Sequence, residues 1–249
     1  MSSQLHPDSA RPQPSISITT ETSYDHPALA AKPRLTNPYY HCIHALRNTL
    51  RQAVQALNLS DGQRVLDYGC STMQYRDLFP AGIDYVGADL PGNELAQVLL
   101  GDTGRVPLPD ASFDLIFSTQ VLEHVEEPDL YLAECRRLLK PGGRLLLSTH
   151  GTLIFHPCPN DYWRWTEPGL HRTIEKAAFH VTTTLGVFGG MATALQFLQD
   201  TTAHKLPGFL RPLFFCVMQI MILLADRAYS PEGRIKNACC LIMTAQARN

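Results

Sequence analysis

Three acidic residues stand where short apolar runs give way to polar chain: Asp67 after "RVL", Asp89 after "YVGA" and Asp102 after "VLLG". Carboxylates at the ends of successive apolar runs can accept hydrogen bonds from the hydroxyls of a ribose. The loop after the first acid reads Gly69-Cys70-Ser71-Thr72-Met73-Gln74, with a single glycine. A pyrophosphate needs close approach of several backbone amides, and hence repeated glycine. A ligand carrying ribose and adenine but no phosphate makes no such demand. A cationic ligand also suits a site lined by Asp rather than Lys.

A second group of reactive residues lies in "STHGTLIFHPCPNDYWRWTEPGL", which holds His150, His156, Asp161, Tyr162, Trp163, Arg164 and Trp165. An aromatic- and histidine-rich loop at a strand end is an acceptor pocket in outline, with Asp161, Tyr162, Trp163 and Arg164 as substrate contacts. The alternative is that the tryptophans only pack the loop onto the core. An alcohol acceptor must lose its proton as it attacks, and histidine titrates in the right range. His150 is the first candidate base and His156 the second. Glu123-His124 is also catalytic in type, but the tract opens a helix and a structural role suits it equally.

These residues need a scaffold. "RVLDY", "DYVGADL", "FDLIFST" and "GRLLLSTHG" read as strands, with a further short apolar run before Asp102. "EPDLYLAECRRLLKPGG" reads as a helix that Pro141-Gly142-Gly143 ends. Alternation of strand and helix means right-handed crossovers and a mostly parallel sheet covered on both faces. "HVTTTLGVF" and "NACCLIMTAQA" read as two late strands. Ahead of the sheet, Ile43, Leu46, Leu50, Val54 and Leu57 repeat at helical spacing. Asn37-Pro38 supplies an N-cap and a first-turn proline, and Asp61-Gly62 the stop.

In order and spacing, "VLDYGC", "YVGADL", "GD" with "LPDASFDLIFSTQVLEHVEEP", and "LLKPGGRLLLSTHG" resemble a class I S-adenosylmethionine-dependent methyltransferase. The resemblance implies a Rossmann-like α/β fold: a seven-stranded, mostly parallel sheet with helices on both faces and a reversed last strand. It implies S-adenosyl-L-methionine as cofactor. Asp67, Gly69, Cys70 and Ser71 would border its methionine part, Asp89 and Leu90 its ribose, Asp102 and Thr103 its adenine, and Gln120 its methyl end. Ser71 departs from the glycine that many members carry, and so does Met73. The histidine- and tryptophan-rich tract resembles one in methyltransferases of glycan assembly, which suggests a sugar hydroxyl as acceptor.

The chain has 249 residues and a formal net charge of −2, which allows one sizeable core and offers no basic field for nucleic acid. Residues 1–32 are rich in Ser, Thr, Pro and His and read as a disordered tail; 33–249 read as one domain. The seven cysteines show no metal-type spacing, so no metal is expected, and an odd count without a leader pattern suggests a cytoplasmic setting. Cys239-Cys240 read as core. A helical apolar insertion is expected at about 190–232. Its segment Leu213–Ala225, at roughly 1.5 Å per residue, falls short of the roughly 30 Å needed to span a bilayer. Burial in the core or in a homodimer contact through 210–229 is the first expectation for it. Peripheral contact with a membrane or a lipid-linked acceptor is the second. O-methylation of a small-molecule, sugar or lipid-linked acceptor is the leading function. A non-catalytic partner that kept the fold and a nicotinamide-dependent dehydrogenase are the alternatives; the missing G-x-G-x-x-G opposes the latter.

Overall fold

The computed structural model describes residues 33–248 apart from 102, 158 and 159, so the predicted tail and Asp102 lie outside the described residues. Seven strands form one sheet: β1 (Arg64–Tyr68), β2 (Asp84–Asp89), β3 (Val98–Leu99), β4 (Phe113–Thr119), β5 (Leu139–His150), β6 (Phe179–Val187) and β7 (Cys240–Ala247). Their order is β3-β2-β1-β4-β5-β7-β6. β7 alone runs against its neighbours, so the sheet is the expected parallel one with its last strand reversed. Strand order reverses between β1 and β4, where ligands settle in open α/β sheets.

Among the described residues six α-helices accompany the sheet: α1 (Tyr40–Ala56), α2 (Pro128–Leu138), α3 (Glu167–Lys176), α4 (Gly190–Thr202), α5 (Arg211–Arg227) and α6 (Pro231–Ile235). One core layer joins Leu66, Ile116, Leu132, Leu145 and Leu170 under α2 and α3. The other joins Leu50, Val54, Leu115, Leu146 and Ile242 under α1. β1 and β4 are buried along most of their length because both of their faces are covered.

Three expectations about boundaries are corrected. Helix α1 begins after Tyr39, although the Asn37 side chain still accepts the Tyr39 N–H at 2.8 Å. Its end at Ala56 agrees with the apolar spacing up to Leu57, but the stop falls ahead of Asn58 at φ 47° and not at Asp61-Gly62. Helix α2 ends at Leu138, and Leu139 already pairs with Phe113, so the Pro-Gly-Gly run lies inside β5 rather than capping the helix. The β1–β2 connection holds only a 3₁₀ turn at Arg76–Leu78.

The fourth correction concerns α5. It is not buried all round: Met218, Gln219 and Ile222 face inward, while Leu213, Val217, Ile220, Met221 and Leu224 are exposed. Among the described residues no helix is long and apolar enough to cross a membrane.

Candidate active site

Strand β1 delivers Asp67 into the core at 2% exposure. The Tyr85 hydroxyl donates to its Oδ2 at 2.5 Å. Its Oδ1 is buried and has no hydrogen-bond partner among the described residues. Burial pushes the Asp67 carboxyl up to about 7, the Tyr85 bond opposes this, and the charge of Asp89 adds to it.

The chain then turns sharply. Gly69 sits at φ 86°, and a side chain there would meet the Val121 methyl at 2.5 Å, so glycine is required twice over. Ser71 and Met73 follow at φ 45° and 51°. These are the two positions where the sequence departs from the glycines that the resemblance implies. The backbone keeps a glycine-like path through non-glycine residues, at a conformational cost. Asp89 anchors that path. Its Oδ2 accepts the Ser71 N–H at 2.7 Å and the Asn93 amide at 2.8 Å, and its Oδ1 accepts the Leu90 N–H at 2.8 Å. Oδ1 therefore keeps a lone pair for a ligand. Cys70 and Met73 fold back on Gly87 of β2, where an added Cβ would meet their sulfurs at 2.9 and 3.1 Å.

Thr103 is exposed in the turn that follows β3, beside Leu100, whose N–H reaches the Asp89 carbonyl at 2.9 Å. Gln120 follows β4 at φ 56°, and its amide donates to Ser148 Oγ at 3.0 Å while its Oε1 accepts the Cys240 thiol at 3.5 Å. Asp67, Gly69, Cys70, Ser71, Asp89 and Leu90 are thus one connected loop system, and Gln120 closes its β4 side.

A second cluster forms at the ends of β4 and β5. Glu123 is fully buried, and its Oε2 accepts the Thr149 hydroxyl at 2.8 Å. Its Oε1 lies 3.1 Å from His150 Nε2 and 3.9 Å from His124 Nε2. Rings of His124, His150 and His156 form a triangle with centroids 6.0 to 6.1 Å apart. Burial pushes Glu123 up to about 7. Burial, with the Arg164, His124 and His156 charges, pushes His150 down to about 3. At neutral pH the His150 imidazole is therefore uncharged.

The loop after β5 is folded by its own charges. Arg164 and Asp161 form a bidentate pair at 2.5 Å, and Arg164 also donates to the carbonyls of Leu153, Ile154 and Trp163. Asp161 accepts the His156 N–H at 2.6 Å, so the pair fixes where His156 stands. Trp163 donates its indole N–H to the Val125 carbonyl at 2.7 Å and stacks on Trp165. The Tyr162 N–H reaches the Glu123 carbonyl at 2.8 Å, and the Tyr162 side chain is exposed. Of the predicted substrate contacts, Asp161 and Arg164 are spent on ordering the loop, while Tyr162 and Trp163 present surface.

Sequence reasoning left Glu123 undecided and missed a cluster of thiols. Cys42 of α1 meets Cys239 and Cys240 with all three sulfurs within 4.8 Å of one another, in the core behind Gln120. Pairing across the whole chain has no local signature. Glu123 had one: a carboxylate next to an apolar strand end with no cation near it in sequence.

Comparison with known proteins agrees with this geometry. Residues 66–147 match the family described as methyltransferase domain. A Mycolicibacterium smegmatis protein named as a probable S-adenosylmethionine-dependent methyltransferase is 34% identical over 53% of this chain and 58% of its own length. A malonyl-[acyl-carrier protein] O-methyltransferase of Methylococcus capsulatus is 34% identical over 35% of this chain and 38% of its own. The chain thus spans about half the length, or less, of these relatives. A Haloferax volcanii protein solved in complex with a methyltransferase activator shares the fold, at 17% identity, 93% and 100% coverage and a TM-score of 0.56. Residues 66–147 thus match a methyltransferase domain, and about half of the chain is similar to a probable S-adenosylmethionine-dependent methyltransferase.

Proposed function

We propose that the protein binds S-adenosylmethionine across the carboxyl ends of β1, β2 and β4 and methylates an oxygen of a small-molecule, sugar or lipid-linked acceptor. The observation that carries this reading is the buried, unpartnered Oδ1 of Asp67 beside the Asp89 carboxylate. An acceptor atom out of water costs free energy unless a donor arrives. A cationic amino-acid portion supplies such a donor, and the lone pair left on Asp89 Oδ1 suits a ribose hydroxyl.

When bound, the cofactor supplies an electrophilic methyl group. The chain supplies alignment and a route for the proton. His150 is 5% exposed and its Nδ1 is sealed from solvent, so it sits behind the acceptor surface rather than on it. His156 is half-buried at the mouth of the same triangle and is held by Asp161. His156 therefore takes the hydroxyl proton. His150 and Glu123 sit behind it, and the negative charge of ionised Glu123 stabilises the imidazolium that forms. Tyr162 and Trp163 flank the approach.

Titration calorimetry on the full chain tests the cofactor half. S-adenosylmethionine and its demethylated product should both bind. Asp89→Asn should weaken binding about 10- to 100-fold, through the loss of charge-assisted hydrogen bonds of about 1.5–3 kcal/mol each. Unchanged affinity in that variant would remove Asp89 from the site.

A further inference from the structure

Helices α4 and α5 form a hairpin inserted between β6 and β7, and its position matters. Val187, the last residue of β6, pairs with Cys240, the first of β7, and Cys240 pairs with His150. The hairpin therefore leaves and rejoins the sheet level with the histidine cluster, on the edge where the site lies.

Its inward face is locked by polar bonds. The side-chain amides of Gln196, Gln199 and Gln219 all donate to the Pro38 carbonyl, at 3.1, 2.7 and 2.8 Å. Gln219 Oε1 accepts the His41 N–H at 2.9 Å. The outward face is apolar. Leu213, Val217, Ile220, Met221 and Leu224 follow helical spacing along α5, joined by Met191 and Leu198 of α4. Phe209, at the tip between the helices, is 82% exposed, and Leu213 is 66% exposed. A contiguous apolar face of this kind marks an interaction surface.

Charge selects the partner. No Asp or Glu occurs between Asp200 and Asp226. Asp200 accepts from Gln196 and Gln199, and Asp226 pairs with Arg234. The cations Lys205 and Arg211 are exposed around the Phe209 tip, and Arg227 is exposed at the far end of α5. An apolar face whose own segment carries cations and no acid, on helices too short to span, is the pattern of an element lying in the headgroup region of an anionic bilayer. A partner copy of this chain would bring the same cations against themselves.

We infer that the α4–α5 hairpin docks the protein on anionic membrane surfaces and turns the carboxyl edge of the sheet toward the lipid. Docking stands on the hairpin alone; its consequence, an acceptor drawn from the membrane, rests on the methyl-transfer reading above. Flotation of the full chain with vesicles tests it. Vesicles containing phosphatidylglycerol should carry the protein, and pure phosphatidylcholine vesicles should carry much less. Lys205→Glu and Arg211→Glu should each weaken binding at least about fivefold, and salt should weaken it further. Leu213→Glu and Phe209→Glu should abolish flotation while leaving cofactor titration unchanged, which separates lost docking from lost folding. Lack of binding to anionic vesicles would overturn the inference. So would sedimentation showing a stable dimer that Leu213→Glu splits, since the face would then be a self-contact. Vesicle binding without any cofactor binding would uphold docking and sink the methyl-transfer reading instead.

Discussion

On the proposed reading, Glu123 and the histidines around it govern the proton that the acceptor loses. A carboxyl raised to about 7 by burial, beside an imidazole lowered to about 3, means that the proton of the pair rests on the carboxyl below neutrality. Glu123 becomes anionic as pH rises through about 7. The anion then favours a positive charge on the imidazoles, so turnover should rise over the same interval. Glu123→Gln keeps the shape and removes the ionisation. It should lower turnover and flatten the rate–pH profile, with cofactor affinity little changed. His156→Ala should lower turnover about 10²–10⁴-fold as loss of a general base. His150→Ala should do less, and should shift the profile rather than erase it. A steady-state rate–pH series on the three variants decides this; full activity in His156→Ala would move the base elsewhere.

The loop after β1 shows what a single element costs and what it provides. Ser71 and Met73 hold left-handed backbone, which a non-glycine residue adopts at about 1–2 kcal/mol. Ser71→Gly should relieve this, less the entropy that glycine adds to the unfolded chain, for a net gain of about 0.5–1 kcal/mol or a few degrees in melting temperature. Ser71→Val should melt lower than either, because a β-branched side chain cannot take that conformation cheaply. Thermal unfolding of the three proteins checks the order, and a Val variant as stable as Gly would show that the loop adopts another path.

The same loop marks the limit of what was legible. Asp67, Asp89 and strands β1, β2, β4 and β5 could be read because strand burial leaves an apolar run and the sheet places polar residues at its ends. The positive φ at Ser71 could not be read from serine, although the departure from glycine pointed to the spot. Helix α5 was legible as a helix but not as a half-exposed one. Its sequence is apolar on both faces, and Gln219 is turned inward by a carbonyl from Pro38, far away in the chain. The glutamate–histidine pair and the three thiols depend on contacts that only the folded sheet brings together.

At the scale of the whole molecule, the proposed cofactor site ties stability to ligand binding through Asp67. Its folded-state pKa is about 7, against 3.8 in an exposed chain. The folded protein therefore keeps a proton that the unfolded chain has lost, and stability falls as pH rises from about 4 to about 7. Asp67→Asn cannot titrate. Its stability relative to the parent should grow across that interval, by up to about 4 kcal/mol. Urea unfolding at pH 4.5 and pH 8 measures the difference, and a constant offset would mean that Asp67 is already ionised in the folded state. The cofactor should act on the same proton. A cation arriving at Asp67 Oδ1 favours the ionised carboxyl, so binding near pH 6.5 should expel a proton into solution. Calorimetry in buffers of differing ionisation enthalpy reads that release directly. It should reach about three-quarters of a proton in the parent and fall in Asp67→Asn, together with affinity. Glu123 offers the internal control, because it titrates near the same pH but stands with the acceptor cluster. Glu123→Gln should leave the proton release intact if the cation binds at Asp67, and remove it if the cation binds among the histidines.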